Sequence, residues 1–548
     1  MRLLKFPKFA MLLAAAAVAL SPCAGSALSA GKLAAAPAGQ PAAGGQQTPQ
    51  PKPAAVLKLA APFESHMVLQ RDIAAPVWGV ADPGATVTVA FDGQTKTATA
   101  GADGKWSIKL DPLRASSEGR EFTVSATGGA NGNAAVTLED VLVGEVWVCS
   151  GQSNMEQGIV FKGTNNGPAE AAAANHPLLR IKYSKKVHSY KPRTDWQGGP
   201  WQVCSPATIK QGTWGGFSAA AYFFGRELQT ELKVPVGLLQ VAWGGTRIEP
   251  WTTPDGLASV PALAGAKGQW SGLYNAMVNP LVPFAIRGAI WYQGESNLGE
   301  TDYADKTRAL VQGWRKAWGQ GDFPFYWVQL APYNYARNFY NPFKGGQNPS
   351  ERLPISWEQQ TKALAIRNTG MAIINDVGNL RDIHPGDKKT VGKRLAHLAL
   401  GDIYYVRYGV RTIAGKPLND SSGPLFLAAS LVSTIDKQNQ KIHVLFKHAN
   451  SGLKTRDGKA PSHFEVAGDD GIFHPATVKI LPVKTKDGRK PHIGAVELTC
   501  PALTSLKAAR FAWHELAEPN LINGDGLPAG AFRWEAKKDE KGEAKKEK

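Results

Sequence analysis

The chain is 548 residues long and carries 62 Lys and Arg against 45 Asp and Glu, a formal charge of +17. Hydrophobic residues make up 43% and charged residues 20%, enough apolar material for large cores, which excludes a globally disordered chain and a multispan membrane protein. At about 150 residues per domain the length fits two to four domains, and the basic excess raises nucleic acid as a partner until its placement is known.

Residues 1–30 begin with Arg2, Lys5 and Lys8, run apolar over 9–20 and end in small residues around Ala24, Ser26, Ala27 and Ala30. The apolar run falls short of the roughly 20 residues that span a bilayer, and its flanks are those of a secretory signal. Export, to the periplasm or beyond, is therefore expected. Cys23 follows Pro22, which suits lipoprotein cleavage poorly. Residues 31–55 are almost entirely Ala, Pro, Gly and Gln and read as a flexible tether, while 535–548 form a solvated mixed-charge tail. The remaining basic residues are dispersed, with no long Lys/Arg block and no zinc-finger spacing, so nucleic acid is not an expected partner. Beyond the signal only Cys149, Cys204 and Cys500 remain, too few for a disulfide scaffold or a Cys-rich metal site, although one disulfide is compatible with export.

From residue 56 to about 140 the pattern is short and β-like. Residues 86–91 (TVTVAF) alternate with a period of two, Asp92-Gly93 is a hairpin signal, and Asp103-Gly104 precedes a further run at 106–110. Runs at 122–125 and 136–138 continue the series, and a small β-sandwich is expected.

At residue 141 the texture changes. Apolar runs at 141–149, 236–243, 288–292, 325–330 and 371–374 each end in a Gly-rich or polar loop, with helix-like segments between them at 218–232, about 273–284, 303–318 and 355–368. In the third of these, Tyr303, Leu310, Val311, Trp314 and Trp318 share one face at helical spacing. Unbroken apolar strands alternating with amphipathic helices predict a parallel sheet covered on both faces, an α/β domain over 141–402 closed by a helix at about 388–400. Alternating runs at 430–434, 442–446, 464–466 and 508–512 then predict a second β domain over 403–534.

Parallel sheets form their sites beyond the carboxyl ends of the strands. The first strand ends in residues 149–155 (CSGQSNM), where Ser153 on a tight turn would expose its hydroxyl beside free backbone N–H groups. The motif is not the G-x-S-x-G elbow, because Met155 occupies its last place, and a serine after a strand is often only a turn residue. The second strand ends in Trp243-Gly244-Gly245-Thr246-Arg247, whose glycines permit close backbone approach to a ligand. The third ends in residues 291–297 (WYQGESN), bringing amide side chains to the same rim. After the fifth comes 382–385 (DIHP), a base with a neighbouring carboxylate. Four strand ends each bearing part of an acyl-transfer site point to one site.

These blocks, together with 243–251 (WGGTRIEPW), 519–521 (PNL) and 526–528 (GLP), resemble those of the sialate O-acetylesterase family of SGNH hydrolases over about residues 57–534. The resemblance implies an SGNH (flavodoxin-like) three-layer core with a parallel sheet, flanked by N-terminal and C-terminal β domains. It also implies serine-dependent removal of O-acetyl groups from carbohydrate, without a metal or other cofactor. Carried onto this chain, Ser153 is the nucleophile and His384 the general base, and the backbone N–H groups of Ser153 and Gly245 hold the oxyanion. Gln293 is the favoured third donor, with Asn297 the alternative. Many SGNH enzymes place an Asp three residues before the His, but that place is Arg381 here; Asp382 is the preferred orienting acid and Asp376 the runner-up.

The expected partner is an O-acetylated carbohydrate. The insertion at 156–217 holds Lys182, Lys185, Lys186, His188, Lys191, Arg193, Trp196, Trp201 and Trp214, which would suit a sugar ring and an anionic group, or would pack and solvate the insertion itself. Arg247 is a candidate substrate-binding cation, or else an ion-pair partner of Glu249 or Glu295. Three readings stand: a sialic-acid O-acetylesterase, an esterase of acetylated xylan or a similar polysaccharide, and a glycan-binding protein with an inactive core.

Overall fold

The structure, a computed structural model, describes residues 54–266, 268, 270–338, 348–405, 409, 412–413, 416–417, 419–432, 440–482 and 493–536. The expected signal, nearly all of the expected tether and all but the start of the tail lie outside these residues.

In the N-terminal region the period of two produces one-faced strands. Thr86–Phe91 buries Val87, Val89 and Phe91, and Lys105–Leu110 buries Trp106, Ile108 and Leu110. Asp92 and Gly93 both take positive φ (50° and 74°), as a two-residue hairpin turn requires, and join Thr86–Phe91 to Gln94–Thr99. The strands Leu57–Leu59, Ala75–Ala81 and Lys105–Leu110 form a three-stranded sheet. Its inner side chains share one core with those of Thr86–Phe91 and Ser116–Gly129.

The next strand, β1 (Gly132–Gly151), belongs to both regions. Its first part pairs antiparallel with Ser116–Gly129 and its second part enters the central sheet, so the chain passes residues 140–141 without leaving the strand. Further strands are β2 (His176–Tyr183), β3 (Gln202–Cys204), β4 (Val236–Ala242), β5 (Gly288–Tyr292), β6 (Phe325–Val328) and β7 (Thr369–Ala372), in the spatial order β3-β2-β4-β1-β5-β6-β7. All neighbours are parallel except β3 against β2. The five apolar runs expected from sequence thus take the flavodoxin-like order 2-1-3-4-5, and chain direction across the sheet reverses at β1. Strands β2 and β3 were not expected. They arise within the insertion, where Arg180 and Lys182 interrupt the apolar pattern; both are buried, paired with Asp140 and Glu64.

Alternate residues of these strands serve opposite faces. Along β1, Val146 and Val148 join the core that contains Leu310, Val311 and Trp314, whereas Trp147 and Cys149 join the one that contains Tyr222, Phe224 and Leu395. Helices α1 (Ala219–Leu232), α2 (Tyr303–Trp318), α3 (Arg352–Lys362) and α4 (Lys388–Ala399) supply the outer layers. Ser218 caps α1 by accepting from the Ala221 N–H, and Gly319 ends α2 in the left-handed conformation (φ 64°). Gly392 lets α4 approach α1 closely, since a Cβ there would lie 2.7 Å from the Ala220 carbonyl oxygen. The helix expected at about 273–284 does not form as such: a π turn, Tyr274–Val278, is followed by a 3-10 turn, Asn279–Leu281. Pro280 and Pro283 lack the N–H groups that a continuous α-helix needs.

Two four-stranded antiparallel sheets follow the core. Phe446 from one and Phe464, Phe511 and Phe532 from the other meet in a shared core that also takes Leu353 and Trp357 of α3. Cys149, Cys204 and Cys500 are buried free thiols, with no disulfide among them. Among the described residues no helix is long and apolar enough to cross a membrane.

Candidate active site

The site is built around the carboxyl end of β1. Gly151 has φ 142°, and a Cβ there would collide with the Tyr292 carbonyl at the end of β5, so only glycine allows this close approach. Gln152 donates its N–H to that same carbonyl (3.0 Å), and the chain turns at once into the short helix Ser153–Glu156. Ser153 therefore stands at the rim where β4 and β5 flank β1. It lines a cavity of about 530 Å³ together with Gln152, Glu156, Gly244, Gly245, Lys186, Trp214, Glu295, Ser296, Ile383 and His384.

His384 and Asp382 are brought together. Asp382 Oδ1 accepts from the His384 backbone N–H (2.9 Å) and lies 3.4 Å from His384 Nδ1. The imidazole packs at right angles to Trp214, with ring centres 4.9 Å apart. Burial pushes the imidazole below its ordinary 6.5, the Lys388 ammonium adds to that, and Asp382 opposes both. Asp376 is elsewhere: both its oxygens are taken by the Arg394 guanidinium, at 2.6 and 2.7 Å.

Two backbone amides are available at the cavity. Ser153 is the first residue of its helix, so its N–H has no carbonyl within that helix to bond. Among the described residues the Gly245 N–H has no acceptor, and its positive φ (73°) places it in a turn with open space beside it. The side-chain donors expected from sequence are not at the cavity. Gln293 is fully buried: its Nε2 donates to Gln152 Oε1 (3.1 Å), the Thr246 carbonyl (3.1 Å) and Asn297 Oδ1 (2.8 Å), while its Oε1 accepts from Tyr303 (2.6 Å). Asn297 is buried too, donating to Glu249 and Glu300. Both amides are consumed in holding the loop after β5. The amide that does line the cavity is Gln152, whose Oε1 is held by Gln293 and by the Ser296 N–H (3.4 Å), leaving its Nε2 for the cavity.

Arg247 also departs from expectation. It bonds Glu249 (2.7 Å), Glu300 (2.5 Å) and the Ser296 carbonyl (3.1 Å), bracing the loop after β5, and does not line the cavity. Its partner is Glu249, with Glu300 in place of Glu295. The cation in the cavity wall is Lys186, 2.7 Å from Glu156 Oε1, while Glu156 Oε2 accepts the Gly244 N–H (2.7 Å). Of the insertion's tryptophans, Trp214 lines the cavity; Trp201 is buried with its indole on the Pro62 carbonyl, and Trp196 stacks under the buried Lys182. Much of the insertion's aromatic and basic content therefore packs the insertion. Gln152 and Lys186 were visible as letters of the sequence, but nothing in the pattern distinguished them from their neighbours.

Sheet order and strand-end cavity together define a hydrolase of the three-layer SGNH class. Residues 143–399 match the model of the family described as carbohydrate esterase, sialic acid-specific acetylesterase. The human sialate O-acetylesterase is 32% identical over 393 residues, covering 64% of this chain and 71% of that protein, and the Pongo abelii sialate O-acetylesterase is 31% identical over the same length. A carbohydrate acetylesterase structure from Xanthomonas citri is 35% identical with a TM-score of 0.73, covering 88% of this chain and all of that one. The chain belongs to this carbohydrate esterase family, and it is a carbohydrate O-acetylesterase.

Proposed function

We propose that Ser153, His384 and Asp382 are the catalytic triad and that the preferred substrate is an O-acetylated sialic acid. The observation that carries the triad is the meeting of Ser153 and His384 at one cavity with Asp382 beside the imidazole. His384 takes the Ser153 proton as Oγ attacks the acetyl carbonyl, and the amides of Ser153 and Gly245 hold the developing oxyanion. The sugar hydroxyl leaves with the proton carried by His384. Water activated by the same imidazole then releases acetate. Purified Ser153→Ala and His384→Ala should each lose hydrolysis of an aryl acetate while retaining the parent's circular dichroism; full activity in either sinks the assignment.

For the sugar, kinship with sialate O-acetylesterases and the Lys186 ammonium in the wall support an anionic substrate. A second reading, a neutral acetylated polysaccharide such as acetyl-xylan, is favoured by the Glu156 carboxylate that offsets Lys186. Acetate release measured side by side on O-acetylated sialic acid and acetyl-xylan separates them, and faster release from the xylan overturns the sialate reading. We also read the protein as exported, on the signal-like residues 1–30. A protein recovered from the periplasm or medium should begin beyond that segment; an intact Met1 there would contradict cleavage.

A further inference from the structure

Behind the cavity lies a buried polar cluster that the roles assigned so far do not use. Lys388 opens α4 and is fully buried, an ammonium at the helix end where the dipole disfavours a cation. Its Nζ donates to Asn154 Oδ1 (2.6 Å) and to the Pro385 carbonyl (2.8 Å), and stands 5.3 Å from the centre of the Tyr292 ring. Asn154, the residue after Ser153, donates to the Ile383 carbonyl (3.0 Å) and to Glu295 Oε1 (2.5 Å). The two carbonyls held in this way flank His384. One ammonium and one amide thus tie the helix that begins at Ser153 to both sides of the histidine.

We infer that Lys388 is a positioning residue of the esterase: linked through Asn154, it holds residues 383–385 so that His384 is presented to Ser153. The inference rests on Ser153 and His384 being nucleophile and base. A residue needed only to fill volume would not be an ammonium, because a methionine fills similar space without the desolvation of a charge. The carbonyl of residue 385 and the amide of residue 154 are what a Lys here can hold and a Met cannot.

The same ammonium acts on the proton of His384. Charged groups facing the imidazole are Asp382 from its own loop, Lys388 from α4, Glu295 from the loop after β5, and the Glu156–Lys186 pair from the nucleophile helix and the insertion. Those facing Lys388 are Glu295, Asp382 and Asp387. Burial lowers the Lys388 ammonium to about 7, with Glu295 opposing. A positive charge nearby disfavours the imidazolium, so removing it should let His384 protonate at higher pH.

Two variants test this. With 4-nitrophenyl acetate, Lys388→Met should lose about tenfold or more in kcat at little change in KM, and the acid limb of kcat/KM should move up by about half a pH unit or more. Asn154→Ala, which cuts the link but keeps the charge, should lose kcat with its acid limb unmoved. A folded Lys388→Met with the parent's kcat and acid limb overturns the inference. If Lys388→Met does not fold, Asn154→Ala decides, and parental kcat there overturns it. Activity retained by Ser153→Ala or His384→Ala would instead mark failure of the triad itself.

Discussion

Among single residues, Asp382 is preferred to Asp376 by its place two residues before His384, and the surroundings of the two carboxylates differ sharply. Asp382 lies beside His384, whereas Asp376 is spent on Arg394. Under the proposed triad, Asp382→Asn should lower kcat on an aryl acetate by about 10²-fold or more with the fold intact, because the imidazole loses the carboxylate beside it. Asp376→Asn should keep the parent's kcat but lose about 3 kcal/mol of stability, read by urea unfolding, since it leaves a buried guanidinium without its counter-charge. Gln152→Ala tests the amide that replaces Gln293 at the cavity. If its Nε2 meets the oxyanion, kcat should fall by about 10²-fold with KM little changed, and an unaltered kcat removes Gln152 from the site. The choice between these amides was not legible beforehand, because it depends on which one the loop after β5 consumes.

Within elements, local pattern and tertiary packing agree best where a long period is unbroken. In α2 the spacing of Tyr303, Leu310, Val311, Trp314 and Trp318 is that of the observed buried face. Trp314 sits at its centre, wholly enclosed, with its indole donating to the Trp251 carbonyl (2.9 Å). Trp314→Ala should cost about 3–5 kcal/mol in urea unfolding; a loss below about 1 kcal/mol would mean that this helix contributes little to the core. Agreement fails where periodicity is interrupted. At 273–284 the prolines break an otherwise apolar, helix-like run, and in β2 buried Arg180 and Lys182 conceal a strand whose charges are neutralised by Asp140 and Glu64, far away in sequence. A window that sees only neighbouring residues cannot register those partners.

For the molecule as a whole, partly buried histidines outside the site contribute to the response to acid. His397 of α4 and His448 are both held down to about 4 by burial, below the ordinary 6.5. Between these values the unfolded chain binds protons that the folded chain does not, so their contribution to stability is complete above pH 6.5 and is lost as pH falls toward 4. His397→Gln should flatten the fall in urea midpoint between pH 6.5 and 4.5 relative to the parent, and an unchanged slope would exclude His397 from the acid response.

The formal charge of +17 names no partner, because its basic residues are dispersed along the chain. By itself the sequence determined the alternation of strands and helices, the β regions on either side, and the strand ends that carry Ser153, Gly245 and His384, because these are written in short-range periodicity and turn chemistry. Tertiary structure alone decided which cations and amides reach the cavity. Arg247 is bound by Glu249 and Glu300 and Gln293 by Gln152, Thr246 and Asn297, away from the cavity, while Lys186, paired with Glu156, and Gln152, its Oε1 held by Gln293, stand in the cavity wall. Where a polar side chain ends up depends on the partners that satisfy it, and those that hold Arg247 and Gln293 away from the cavity are brought beside them by the fold.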